Sequence, residues 1–125
     1  MYRLLPELKV SLNGVWKYRI DEKDTGRDEG LYKPDVDFST WKGMEIPNNW
    51  YLTEVGDYFG TIWFQTSFKV PESFKGKRIY IYFKAVDYYA DVWLNGRFLG
   101  SHEGMFNPFE FDVTDIVNMD SDNIL

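Results

Sequence analysis

Cysteine is absent from these 125 residues, and histidine occurs once, as His102. The absence of cysteine excludes disulfides and thiolate metal sites, and a single histidine leaves no ordinary zinc site. The acidic stretch Asp21–Gly26 lacks the closing glutamate of an EF-hand, so a solvated, charged turn is the better interpretation. We therefore predict no metal and no cofactor.

A catalytic triad is also poorly supported. Any Ser-His-acid set would have to use His102, and no Gly-x-Ser-x-Gly elbow is present. We expect His102 to be a loop residue with local hydrogen bonds rather than a catalytic base.

Basic residues are the minority: 14 Lys and Arg stand against 20 Asp and Glu, for a net charge of -6 at pH 7. Without a basic stripe, neither nucleic acid nor an anionic membrane surface is an expected partner. The apolar runs are far too short to span a bilayer, and residues 1–10 lack the apolar segment of a signal peptide. The compartment stays open, whether periplasmic, extracellular or cytoplasmic.

Aromatic residues, by contrast, are abundant at 19%. They occur in short runs cut by Gly, Pro, Asn and Asp, a pattern typical of strands and turns. Arg78–Val86 alternates most cleanly, and Asn95-Gly96 predicts a type I′ hairpin. Many short strands at close spacing favour an all-β sandwich or barrel. The predicted strands are Gly14–Ile20, Lys42–Pro47, Thr61–Val70, Arg78–Val86, Ala90–Leu94, Arg97–Leu99 and Pro108–Val113.

Alternation within these strands also predicts the core. Its expected members are Trp16, Tyr18, Ile62, Phe64, Phe68, Ile79, Ile81, Phe83, Val92, Leu94, Phe109 and Phe111. Asn123–Leu125 has the pattern of a strand that has only begun. We therefore expect residues 1–125 to be one domain, truncated in its last strand.

Two predicted loops, Asn48–Gly60 and Ser101–Asn107, combine aromatic and polar side chains. Sugars bind to aromatic faces with a few polar groups placed for the hydroxyls. Composition alone favours the alternative that these aromatic residues cap the ends of the core. Glu103 is the best-placed acid, but no partner carboxylate for it can be identified.

The ordered set Gly60–Gln65, Ala90–Gly96, Gly100–Gly104 and Pro108–Thr114 resembles the N-terminal sugar-binding domain of glycoside hydrolase family two, the β-galactosidase, β-glucuronidase and β-mannosidase group. The resemblance implies a jelly-roll-like (galactose-binding-like) antiparallel β-sandwich. In that family an immunoglobulin-like domain and a TIM barrel with the catalytic glutamates follow, so no catalytic residue is expected here.

The resemblance also suggests which loops approach the active-site mouth of the barrel. The candidate substrate-rim or interdomain residues are Asp57, Tyr58, Phe59, His102, Glu103, Phe106 and Asn107. The Asn and Asp that the galactosidase branch uses fall at Gly60 and Gly104, so those contacts do not carry over. The stretch from His102 to Phe109 is more like the glucuronidase branch.

The expected function is therefore that of a non-catalytic, sugar-binding accessory domain of a retaining exo-glycosidase that hydrolyses O-glycosyl bonds. Its partner would be a carbohydrate substrate shared with a following barrel, and oligomers could form through the parent enzyme. Two alternatives stay open: a stand-alone carbohydrate-binding module, and a structural interaction domain without sugar affinity.

Overall fold

The computed structural model describes residues 9–47, 60–86, 88–104 and 107–125. Within these ranges strands are the main regular secondary structure. They are β1 (Gly14–Asp21), β2 (Lys42–Ile46), β3 (Thr61–Gln65), β4 (Ser67–Phe68), β5 (Tyr80–Phe83), β6 (Tyr89–Leu94), β7 (Arg97–Glu103), β8 (Phe109–Asp112) and β9 (Asn123–Ile124). A four-residue helix, α1 (Gly26–Glu29), follows β1, and a 3₁₀ helix (Glu72–Phe74) precedes β5.

All the strand pairs are antiparallel. One sheet has the order β2-β1-β3, and three further pairs join β4 to β9, β5 to β8 and β6 to β7. The prediction of an all-β chain is confirmed.

The hairpin between β6 and β7 has the predicted geometry. Asn95 and Gly96 have φ angles of 52° and 83°, as a type I′ turn requires. The Asn95 side chain does more, because its Oδ1 accepts a hydrogen bond from the Ile124 N–H at 2.9 Å. Its backbone N–H donates to the Ile124 carbonyl at 2.8 Å. One residue therefore closes the hairpin and holds the C-terminal strand β9.

The core lies between the strand pairs. Leu94 and Val113 are fully buried and are surrounded by Val70, Ile79 and Ile81. Burial of Tyr18, Ile79, Ile81, Val92 and Leu94 was predicted correctly.

Other predicted core residues are only half-buried. They are Trp16, Ile62, Phe64, Phe68, Phe83, Phe109 and Phe111. The core prediction missed Leu31, Trp41 and Met44, which are all buried.

The prediction of one strand over Thr61–Val70 was wrong. The pairing breaks at Thr66, whose N–H and carbonyl bind Leu125 at 3.0 and 2.9 Å. The strand therefore divides into β3 and β4, and the polar Gln65 becomes buried. The prediction of a loop from Ser101 was also wrong, because residues 101–103 continue β7 opposite the start of β6.

Candidate functional site

The predicted rim residues divide between described and undescribed parts of the chain. Asp57, Tyr58, Phe59 and Phe106 lie outside the described residues. His102, Glu103 and Asn107 lie within them, and Asn107 is exposed.

Although they are neighbours in β7, His102 and Glu103 lie on opposite faces of the strand, because side chains alternate. His102 is opposite Ala90, and Glu103 is opposite Tyr89. Of these two residues only Glu103 is exposed, whereas His102 is half-buried.

The His102 imidazole packs flat on the ring of Phe109. The ring centroids are 4.1 Å apart, with 11° between the planes. Among the described residues its buried Nδ1 atom has no hydrogen-bond partner. The expectation of a loop position was wrong, because His102 lies within β7. Phe109 stacks in turn on Phe83 at 4.7 Å, so the imidazole packs into a row of aromatic rings.

On the other face, Glu103 pairs across the strands with Tyr89, whose exposed fraction is 61%. Cβ atoms of directly opposed residues lie about 4.5–5.5 Å apart. Tyr89 was not among the predicted rim residues. A signal was available, since Tyr89 alternates with Ala90, Val92 and Leu94, which were predicted to face inward.

The start of β3 and the end of β7 lie at the same end of the sandwich. The C-terminal segment binds the far ends of both β3 and β6, through Thr66 to Leu125 at 3.0 Å and Asn95 to Ile124 at 2.8 Å. Trp63 of β3 also stacks on Trp93 of β6, so the two strands run in the same direction. Thr61 therefore starts β3 at the end where Glu103 finishes β7. The full shared rim stays a prediction, because residues 57–59 are outside the described ranges.

An aromatic stack connects β3 to β6. The Trp93 ring lies 5.4 Å from Tyr32 and 5.2 Å from Trp63, nearly parallel to both. Arg27 of α1 sits 5.1 Å from the centre of Trp93 and pairs with Asp91. The segment after β1 therefore covers the middle of the outer face of β6.

The carboxylate of Asp21 anchors that covering segment. Asp21 is 7% exposed and accepts hydrogen bonds from Trp63 Nε1 at 2.9 Å, the Thr25 N–H at 3.0 Å and the Gly26 N–H at 2.8 Å. Burial alone would raise the pKa of this carboxyl. The hydrogen bonds, helped by the charge of Arg19, outweigh burial and hold the pKa below its ordinary value. The expected solvated turn is thus wrong for Asp21.

Two exposed carboxyls are also held ionised by local donors. The Thr114 hydroxyl and N–H lower the pKa of Asp112, with help from Arg78. The N–H and hydroxyl of Ser39 lower the pKa of Asp37. Both groups are turn-closing acceptors.

Two further observations concern metal binding and membrane insertion in the described part of the chain. Those ranges contain no group of three or more His, Asp or Glu side chains arranged to hold a metal ion. None of their helices is long and apolar enough to cross a membrane.

The antiparallel strand pairs and the buried apolar centre define an all-β sandwich domain. Residues 48–125 match the family described as glycosyl hydrolase 2 galactose-binding domain-like, and the chain belongs to that family. The prediction of a jelly-roll-like, galactose-binding-like sandwich of glycoside hydrolase family two is thereby confirmed.

Its relatives are longer glycosidases. The chain is 39% identical to a β-galactosidase of Thermoanaerobacter pseudethanolicus over 92 residues, which are 69% of this chain and 12% of that protein. It is 31% identical to a β-glucuronidase of Paenibacillus borealis over 115 residues, 89% of this chain and 19% of that protein. The crystal structure of Ruminococcus gnavus β-glucuronidase superposes with a TM-score of 0.85 at 26% identity, over 99% of this chain and 22% of that one. The chain thus corresponds to one domain of β-galactosidase- and β-glucuronidase-type glycosidases and spans a fifth or less of the curated relatives described here.

Proposed function

We propose that this chain is the non-catalytic accessory domain of a retaining exo-glycosidase. The end of the sandwich where β3 begins and β7 finishes would shape the substrate pocket of a following catalytic barrel. The observation that carries the proposal is the share of each chain that superposes. Nearly all of the chain superposes on Ruminococcus gnavus β-glucuronidase, yet it accounts for only 22% of that enzyme.

Three described carboxyls have lowered pKa values, which suits structural roles rather than proton donation. A retaining glycosidase needs a general acid of raised pKa about 5–5.5 Å from a second carboxylate that acts as nucleophile. Asp21, Asp37 and Asp112 all have pKa values lowered by hydrogen bonds that close local structure. These carboxylates stabilise the fold and are poor proton donors.

The shared end of β3 and β7 supports a role at the substrate pocket. Thr61 begins β3 and Glu103 finishes β7 there, so both strand ends can face one neighbouring surface. A rim of this kind contributes part of a pocket and leaves the reacting groups to another domain.

The proposal is tested by assaying the 125-residue chain with nitrophenyl glycosides of galactose, glucuronic acid, mannose and glucose. We expect no turnover above that of buffer. Turnover that disappears in Glu103→Gln or in His102→Asn would contradict the proposal, because it would place the reacting groups within this chain.

A further inference from the structure

We propose that the outer face of the β6–β7 hairpin, around Tyr89, is a contact site for a neutral pyranoside. Tyr89 would be the stacking platform and Glu103 the acceptor for sugar hydroxyls. The inference rests on the proposed function in one respect, since it takes this end of the domain to be the end that meets carbohydrate.

Strand geometry leaves Tyr89 open while covering its neighbours. Tyr89, Asp91 and Trp93 lie on one face of β6, because Arg27 contacts both Asp91 and Trp93. The segment after β1 covers Trp93 and reaches as far as Asp91. Tyr89 is the next residue along that face, at the start of β6 and opposite the end of β7, and 61% of it is exposed.

The polar groups around Tyr89 are of the types that bind sugar hydroxyls. Glu103 is exposed and directly opposite Tyr89, and Ser101 is exposed and opposite Asp91. Asp91 accepts from the Ser101 hydroxyl and pairs with Arg27. A pyranose could lay its C–H face on the tyrosine ring and direct its hydroxyls to the Glu103 carboxylate and the Ser101 hydroxyl.

The charge content of this face favours a sugar over a docked protein domain. The buried centre of a protein interface is depleted of charged residues, whereas this face carries Arg27, Asp91 and Glu103. The Arg27 guanidinium already contacts the other exposed ring of the face, Phe98, at 5.8 Å. One cation against two carboxylates leaves the face with a net negative charge, which opposes an anionic uronate. The site should therefore prefer a neutral hexoside.

The test is a titration of the ¹⁵N-labelled chain with methyl β-galactoside, methyl β-glucoside and sodium glucuronate, followed by amide chemical shifts. We expect a neutral glycoside to shift the amides of Tyr89, Ser101 and Glu103, with a dissociation constant on the order of 1–10 mM. Tyr89→Ala should weaken binding roughly fivefold to tenfold, whereas Tyr89→Phe, which keeps the ring, should retain it. Tyr82→Ala is the matched control, because Tyr82 is similarly exposed, at 57%, but lies on β5.

Four outcomes would each overturn the inference. They are unchanged binding in Tyr89→Ala, amide shifts centred on Tyr80 and Tyr82, tighter binding of glucuronate than of the neutral glycosides, and no amide shift at about 100 mM sugar. These outcomes differ from a failure of the proposed function, which would show as glycoside turnover by the isolated chain. If the chain neither hydrolyses a glycoside nor binds sugar, only the inference about Tyr89 is contradicted.

Discussion

The buried carboxylate of Asp21 shows how one residue organises its surroundings. It ties the end of β1 to the start of α1 and to the Trp63 indole. Charge-assisted hydrogen bonds of this kind are about twice as strong as neutral ones. Because Trp63 stacks on Trp93, the same carboxylate indirectly sets how β3 sits against β6.

The close approach of Gly26 to Trp63 makes this glycine sensitive to substitution. A Cβ at Gly26 would overlap Trp63 Nε1 and would lie 2.5 Å from Trp63 Cε2 and 2.8 Å from Asp21 Oδ2. We expect Gly26→Ala to lower the free energy of unfolding by about 1–3 kcal/mol, measured by urea denaturation. Asp28→Ala, an exposed change in the same helix, is the control and should stay within about 0.5 kcal/mol. Equal stabilities of the two variants would contradict the contact.

Ionised Asp21 also makes a predictable contribution to the pH dependence of stability. Its pKa is lower in the folded chain than the ordinary 3.8, so its contribution is complete above that unfolded value and is lost as the pH falls through the folded value. Asp21→Asn should cost about 1–3 kcal/mol near neutral pH, because an amide nitrogen would face backbone donors. The difference in unfolding free energy between wild type and Asp21→Asn should shrink once the pH falls below 3.8. A difference that stays constant with pH would show that the charge is not the stabilising feature.

At the scale of elements, the Asn95-Gly96 turn connects three strands rather than two. Asn95 binds the Ile124 backbone, and its Nδ2 donates to Asn123 Oδ1 at 2.9 Å. Asn123 is fully buried, and its own Nδ2 donates to the Asn118 carbonyl at 2.9 Å. A hydrogen-bonded pair of amide side chains thus attaches the two-residue strand β9 to the body of the sandwich.

The variant Asn95→Gly tests the side-chain hydrogen bonds separately from the turn itself. Glycine accepts the positive φ of 52° but removes every side-chain hydrogen bond. We expect a loss of about 1–3 kcal/mol and faster amide exchange of Ile124 and Leu125. Asp24→Gly is the matched control, with the same φ of 52° and an exposed side chain. Normal protection of β9 in Asn95→Gly would contradict the role assigned to the side chain.

The core prediction can be tested with one pair of variants. Leu94→Ala empties a fully buried site and should cost about 2–5 kcal/mol. Phe83→Ala should cost less, about 1–2 kcal/mol, because its ring is half-buried at the edge of the core. Urea denaturation of both variants provides the measurement, and a larger loss for Phe83→Ala would mean that the centre of the core lies nearer β5 than β6.

Local patterns predicted the strands well, but some strand boundaries and burials depend on residues far along the chain. The alternation in Arg78–Val86 and the Asn95-Gly96 turn follow from neighbouring residues alone, and both predicted real elements. The break at Thr66 could not be predicted that way, because it depends on Leu125, far along the chain. The burial of Asp21 likewise depends on Trp63, and an acidic stretch alone does not predict that contact.

The same limit applies to the candidate site. Charge and residue type indicated Glu103, which lies on the exposed face opposite Tyr89. They could not indicate which face of β7 His102 would take, because that follows from the register of β6 against β7. The outward position of Tyr89 follows from the same register.

At the scale of the whole molecule, the chain carries its own apolar core, and exposed aromatic and charged groups lie at the end where β3 begins and β7 finishes. The relatives that share this domain are several times longer. The proposed role is therefore a supporting one, in which the domain completes a pocket whose reacting groups lie on another domain.

The most direct test of that role is a domain replacement. The segment of Ruminococcus gnavus β-glucuronidase that superposes on this chain would be exchanged for residues 1–125, and a variant lacking the segment would serve as the control. We predict that the exchanged enzyme folds and hydrolyses a nitrophenyl glycoside with a changed KM, while the deletion variant loses activity. Equal activity of the exchanged and deleted enzymes would contradict the claim that this domain helps to form the substrate pocket.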